Sequence, residues 1–344
     1  MSIILTQLDD PILKMQETID QKYRGIDIFE ARKINSGFFS FAMNPTNRGV
    51  LINENEVKSK ARFLGEVFKL PAMDKGAVDT NAGARIQGDI PAAASTTAFA
   101  TGVTQTIQVH FSMRPADNYG NEMNYRAELV RKIMQAEHSL ISQAEAFLKA
   151  QVDTGISQAD FSDAYPIVAD VFQVPNADYK KVLTTLQAIY LSNLYPTNDI
   201  SVVANPMYAA AIAEILQFGT ANQQNQALSL VGKQMYFSTE IVPGALEDFN
   251  FYTLIPGSIE LVNTNEPDAL LKHGEGLTAA KGTMRLPMLG MEVGVYTQKK
   301  MLGNGTTTTL EERWEFATDL HAFLPYYSTP VTDPSSIYKY AILS

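Results

Sequence analysis

The sequence has no cysteine, one tryptophan and only four histidines among its 344 residues. The lack of thiols excludes disulfides, cysteine nucleophiles and cysteine-rich zinc sites. It also lacks an apolar run near the ~18 residues that a membrane-crossing helix takes. There is no polybasic stripe: 27 Lys and Arg stand against 37 Asp and Glu, for a net charge of −10. A nucleic-acid groove or an anionic membrane surface is thus not expected as the main partner. The opening "MSIILTQLDD" has no basic region followed by a long apolar run, so no signal peptide is expected.

Catalytic signatures are missing too. There is no GxSxG and no HExxH, and His110, His138, His273 and His321 fall in separate elements. "HGEGLTAAKGT" (273–283) resembles a phosphate loop, but Lys281 precedes Gly282 and a strand pattern follows where a helix is required. It reads as a glycine-rich turn between strands. "GMEVG" (290–294) lacks the strand–turn–helix setting of a nucleotide site, and its glycines are expected to admit a neighbouring backbone.

What is present is a globular composition, 45% apolar and 19% charged, enough for a large core. The first fifty residues show turn residues and no sustained period, as an arm that needs something else to lie on. "ARFLGEVFKLPAM" (61–73) and "VTQTIQVHFSM" (103–113) read as strands. In the second, Val103, Gln105, Ile107, Val109, Phe111 and Met113 share one face. Between the two strands lies a stretch of Gly, Ala, Thr and Asp that cannot build a core of its own, so the pair predicts a projecting two-stranded loop.

From Asn121 to Thr154 there is no proline and no glycine. Ile133, Leu140 and Phe147 recur every seven residues, and Met134, Ile141 and Leu148 follow one position later. The spacing predicts one helix of roughly 50 Å, closed by Gly155. His138 has no acid among its helical neighbours Met134, Gln135, Ile141 and Ser142, and reads as a flank residue. Glu137 and Glu145 read as the solvated face. Beyond Gly155 a compact α/β unit is expected: a helix in 178–195, a buried strand in "DISVVANP", a helix after Pro206, then strands. Near the end, Leu289, Met291, Val293, Val295 and Thr297 share a face, as do Leu310, Trp314, Phe316, Leu320 and Leu324. With Asn304-Gly305 between them, these runs predict a long hairpin laid against the long helix.

Glu311, Arg313, Glu315, Asp319 and His321 fall on one face of the last arm of that hairpin. Asp319 and His321, two apart, can both reach one metal ion, with further ligands required from another strand. Arg313 between two glutamates suggests cross-strand charge pairing instead.

The order of arm, small-residue loop, very long helix, α/β unit and terminal hairpin resembles the major capsid proteins of tailed bacteriophages, the Hong Kong 97-type fold. "VVANPMYAAAIAEIL", "FYTLIPGSIELV" and "LPMLGMEVGVYTQKK" are similar to passages of such chains. The resemblance implies an α+β fold. Its parts would be an N-terminal arm (1–60), an extended E-loop (61–116), a P-domain with spine helix and hairpin (117–185 and 281–344), and an A-domain (186–280). It further implies a non-enzymatic chain, without catalytic, cofactor or metal residues, that self-assembles as hexamers and pentamers into an icosahedral shell around double-stranded DNA. The implied partners are other copies, portal, scaffold and decoration proteins, and packaged DNA held by weak non-specific contact, with no membrane. The implied place is the virion, after assembly in the host cytoplasm. Two alternatives stand beside it: an encapsulin-like compartment shell, and a metal-dependent hydrolase using Asp319 and His321.

Overall fold

The computed structural model describes residues 34, 36–47, 69–71, 99–114, 122–156, 165–179, 181–193, 195, 199–209, 234–265, 279–303, 308–326 and 336–344. The fold is α+β. Helix α1 (Gly37–Met43) comes first, then the short strands β1 (Lys69–Pro71) and β2 (Phe99–Thr101), then β3 (Val103–Met113). β1 and β2 pair antiparallel in a two-stranded sheet of their own, with Lys69 opposite Thr101. The small-residue stretch between them lies outside the described residues.

Helix α2 (Glu122–Thr154) has 33 residues, or about 50 Å at 1.5 Å per residue. The Gly155 N–H closes it on the carbonyls of Gln151 and Val152, at 3.2 and 3.0 Å. Its apolar stripe, Ile133, Leu140, Ile141, Ala144, Leu148 and Val152, is fully buried. It packs on a five-stranded antiparallel sheet with the path β10–β11–β12–β3, while β9 (Glu260–Thr264) also pairs with β12. β10 spans Ala279–Arg285, β11 Glu292–Gly303 and β12 Thr308–Phe323. β11 and β12 pair from Gly294 opposite Ala317 to Gly303 opposite Thr308, as the alternation predicts. The Asn304-Gly305 turn lies outside the described residues. Met291, just before β11, Val293 and Val295 of β11, and Trp314, Phe316 and Leu320 of β12 share one core with the α2 stripe. Each such side chain contributes about 1.5–3 kcal/mol on burial.

A second core forms on a six-stranded mixed sheet, β4–β5–β13–β8–β6–β7. Its strands are β4 (Ile167–Val168), β5 (Val171–Pro175), β6 (Ser201–Ala204), β7 (Met235–Phe237), β8 (Glu247–Leu254) and β13 (Tyr338–Leu343). β13, the last strand of the chain, lies between β5, to which it is parallel, and β8, to which it is antiparallel. Helix α3 (Val182–Ser192) buries Val182, Leu183, Leu186, Ile189 and Tyr190 in the same core. The register sets Phe172, Tyr340 and Phe251 side by side. With Tyr208 they form a row of four stacked rings, whose successive centroids are 4.9, 4.7 and 5.0 Å apart. The helix read after Pro206 is described over 206–209 only. It starts on Asn205, whose Oδ1 accepts from the Met207 N–H at 2.8 Å.

Of the glycines of "GMEVG", Gly294 admits a neighbouring backbone as expected, since a Cβ there would stand 3.2 Å from the Ala317 carbonyl oxygen across the ladder. Gly290 instead supplies a left-handed turn, with φ +71° and only the Met43 side chain nearby. Helix α1 was not legible. "GFFSFAM" has no helical period, yet Phe38, Phe39, Phe41 and Ala42 are buried in the main core. What orders it comes from α2.

Candidate functional site

Among the described residues, a pair of acids on α2 forms an organised polar feature. Glu137 and Glu145 are buried, at 0% and 3% exposure, and do not form a solvated face. Glu145 Oε1 and Oε2 accept from the backbone N–H groups of Phe38 (3.0 Å) and Phe39 (2.7 Å). These are first-turn donors of α1, and Ser36, at the N-cap position, makes no side-chain cap. A carboxylate from a helix 107 positions away therefore caps α1, with its charge at the positive end of the short helix. Burial pushes the Glu145 carboxyl up from its ordinary value, while hydrogen bonds from Ser238, Phe39, Phe38 and Gly37 pull it down. Glu137 Oε2 accepts from Met288 and Leu289 N–H, at 2.7 and 3.0 Å, in the turn between β10 and β11. The two acids thus fasten an N-terminal and a C-terminal segment to one helix.

The helical spacing carried a signal for both. Glu137 stands four residues after Ile133 and four before Ile141, and Glu145 four after Ile141 and three before Leu148. Both lie inside the apolar stripe. Reading them as solvated followed residue type over position. His138 is half-buried on the flank of α2.

On β12, His321 is 6% exposed. Its Nδ1 is 2.8 Å from Thr104 Oγ1 and its Nε2 2.7 Å from Thr264 Oγ1, so it bridges β3, β12 and β9. Burial pulls its imidazole below the ordinary range, opposed by the Asp319 carboxylate. Asp319 accepts from Thr106 Oγ1 at 2.5 Å. Both residues proposed as metal ligands are engaged by threonine hydroxyls. No group of three or more His, Cys, Asp or Glu suited to a metal occurs among the described residues. The charge pairing falls elsewhere than expected. Arg313 meets Glu311 along its own strand at 3.3 Å, and the cross-strand pair is Lys299 with Glu312 at 3.2 Å. Tyr125 of α2 also donates to Glu312, joining the start of the helix to the hairpin.

A shallow cavity of about 360 Å³ opens on the outer face of the sheet, where His110, Ser112, Tyr296, Gln298, Arg313 and Glu315 meet. It brings together a mixed set of polar groups without the nucleophile–base geometry that acyl or phosphoryl transfer needs.

No protein-family model matches the sequence, and no curated protein matches it. The fold is similar to solved structures of viral origin. A structure of Mycobacterium phage Bobi aligns with 96% of this chain and 98% of its own at 10% identity, with a TM-score of 0.49. One of Mycobacterium phage Che8 aligns with 89% and 92% at 12% identity, TM-score 0.48. The acid-stable capsid of Helicobacter pylori bacteriophage KHP30 aligns with 94% and 95% at 10% identity, TM-score 0.42.

Proposed function

We propose that the chain is the major capsid protein of a tailed bacteriophage, a structural protein that self-assembles into the icosahedral head shell. In this reading 1–60 is the N-terminal arm and 61–116 the extended loop. Residues 117–185 with 281–344 form the domain of α2 and the hairpin, and 186–280 form the second domain. Copies associate as hexamers and pentamers in the host cytoplasm, together with portal, scaffold and decoration proteins. The virion shell then encloses double-stranded DNA, which its inner face contacts weakly.

The observation that carries the reading is the β1–β2 ribbon. It is a two-stranded sheet of its own, joined to the body through β3, whose first residues Val103–Thr106 are exposed. A two-stranded ribbon is marginal in water by itself, so it gains stability by lying on a second copy. A body built as a 33-residue helix on a long hairpin suits a rigid plate from which such a ribbon reaches. An acidic chain agrees with a shell that must later release its DNA.

Negative-stain microscopy of the purified chain, with and without added scaffold, tests this. Closed particles or rings of five or six are expected. Limited proteolysis is expected to cut free subunits within 74–102 and to spare assembled ones. A monodisperse monomer at every concentration, with scaffold supplied, overturns the reading.

A further inference from the structure

β3 is an edge strand whose own sequence carries none of the usual protection. Its sequence, "VTQTIQVHFSM", holds no proline, no glycine and no Asp, Glu, Lys or Arg. It pairs with β12 residue for residue, from Met113 opposite Glu312 to Val103 opposite Ala322, without a bulge. Among the described residues no strand pairs with its other edge. A long, regular, uncharged edge rich in β-branched residues is the kind that recruits another strand, and natural edges carry charges, prolines or bulges against it.

Among the described residues, the Gln143 side chain reaches that edge. The Gln108 N–H donates to Gln143 Oε1 at 3.3 Å, and Gln143 Nε2 donates to the Gln108 carbonyl at 3.1 Å. A carboxamide presents a C=O and an N–H side by side, as a strand residue does. Gln143 therefore takes the place of a neighbouring strand at the middle of β3. Ser139 Oγ accepts from the same Nε2 at 3.3 Å and steadies it. Backbone groups of an antiparallel strand face alternate edges, so those of Thr106 and His110 face the same way as Gln108. An incoming strand that must satisfy this row meets α2 and its glutamine at the centre.

We propose that Gln143 is an edge guard, which keeps β3 from pairing with the β3 of a second copy. The partner it excludes is the same strand, because two uncharged, alternating, bulge-free edges run antiparallel without like-charge repulsion. The inference is independent of the shell reading, since it concerns association through the wrong surface.

Three full-length variants test it as unassembled subunits: Gln143→Ala, Gln143→Glu and the double variant Gln143→Ala/Gln108→Lys. Each is followed by urea unfolding and by the growth of cross-β aggregates, read by thioflavin fluorescence and the ~4.7 Å fibre reflection. Gln143→Ala is expected to aggregate several-fold faster than the natural chain. Gln143→Glu loses the bond to the Gln108 carbonyl and some stability, but its charge still blocks the edge, so it aggregates no faster. The added lysine returns the double variant to the natural rate. If Gln143→Ala yields no folded protein, Gln143→Asn, one methylene short of both groups, takes its place with the same expectation. Growth at the natural rate in the Ala or Asn variant overturns the proposal. So does growth in both Ala and Glu variants that merely follows their lost stability. Closed particles seen by microscopy report on shell assembly and are scored separately from fibres.

Discussion

Two buried titrating groups give this protein opposite responses to acid. Glu145 is held above its ordinary 4.5 by burial, so the folded chain takes up its proton more readily than the unfolded chain. The linked stability is complete below 4.5 and is lost as pH rises through the folded value. His321 is held below its ordinary 6.5, again by burial. Its stability is present above 6.5 and is lost as pH falls through the folded value. Urea unfolding between pH 7.5 and pH 4.5 is therefore expected to differ between two variants. His321→Gln should lose less stability than the natural chain on acidification, and Glu145→Gln should lose more. Identical pH slopes in all three chains would remove both assignments. Glu145→Ala should cost more than either at neutral pH. It withdraws the acceptor from two buried N–H groups, at about 1–3 kcal/mol each, and a lowered urea midpoint with an unchanged slope checks this.

At the scale of elements, regular burial was the readable quantity. The seven-residue recurrence of Ile133, Leu140 and Phe147 marks α2, and the alternation of Val293, Val295 and Thr297 marks β11, because both are half-buried surfaces of fixed period. Helix α1 was illegible because its order comes from Glu145, more than one hundred positions away, and from aromatic side chains with no period of their own. The two acids were misread for a related reason. A charged residue within an apolar stripe makes sense only once the approaching backbone N–H groups are known. The threonine partners of His321 were equally out of reach, since they depend on the pairing of β12 with both β3 and β9. Leu140, with no exposed surface beneath the helix, tests whether α2 is a mechanical member. Leu140→Ala should cost about 2–5 kcal/mol, read as a drop in unfolding midpoint. A near-neutral result would mean that the helix–sheet contact is loose.

At the scale of the whole molecule, the last seven residues hold a central position. β13 is the third of six strands and contributes Tyr338, Tyr340 and Ile342 to the second core. Removing 338–344 should therefore abolish cooperative unfolding of that unit and the near-ultraviolet signal of its stacked rings. Removing an equal length from an edge would not.

The attachment of two distant segments to α2 also orders events in time. Phe38 and Phe39 precede Glu145 and are already synthesised when the helix leaves the ribosome. Met288, which donates to Glu137, follows it by 151 positions. At roughly 5–20 residues per second, the wait is on the order of 8–30 s. Throughout it, Ile133, Leu140 and Leu148 lack the hairpin that later covers them. A nascent chain paused beyond Gly155 exposes an apolar ridge about 30 Å long, from Ile133 to Val152, so translation rate and chaperone supply should govern the soluble yield of this protein more strongly than its final stability does.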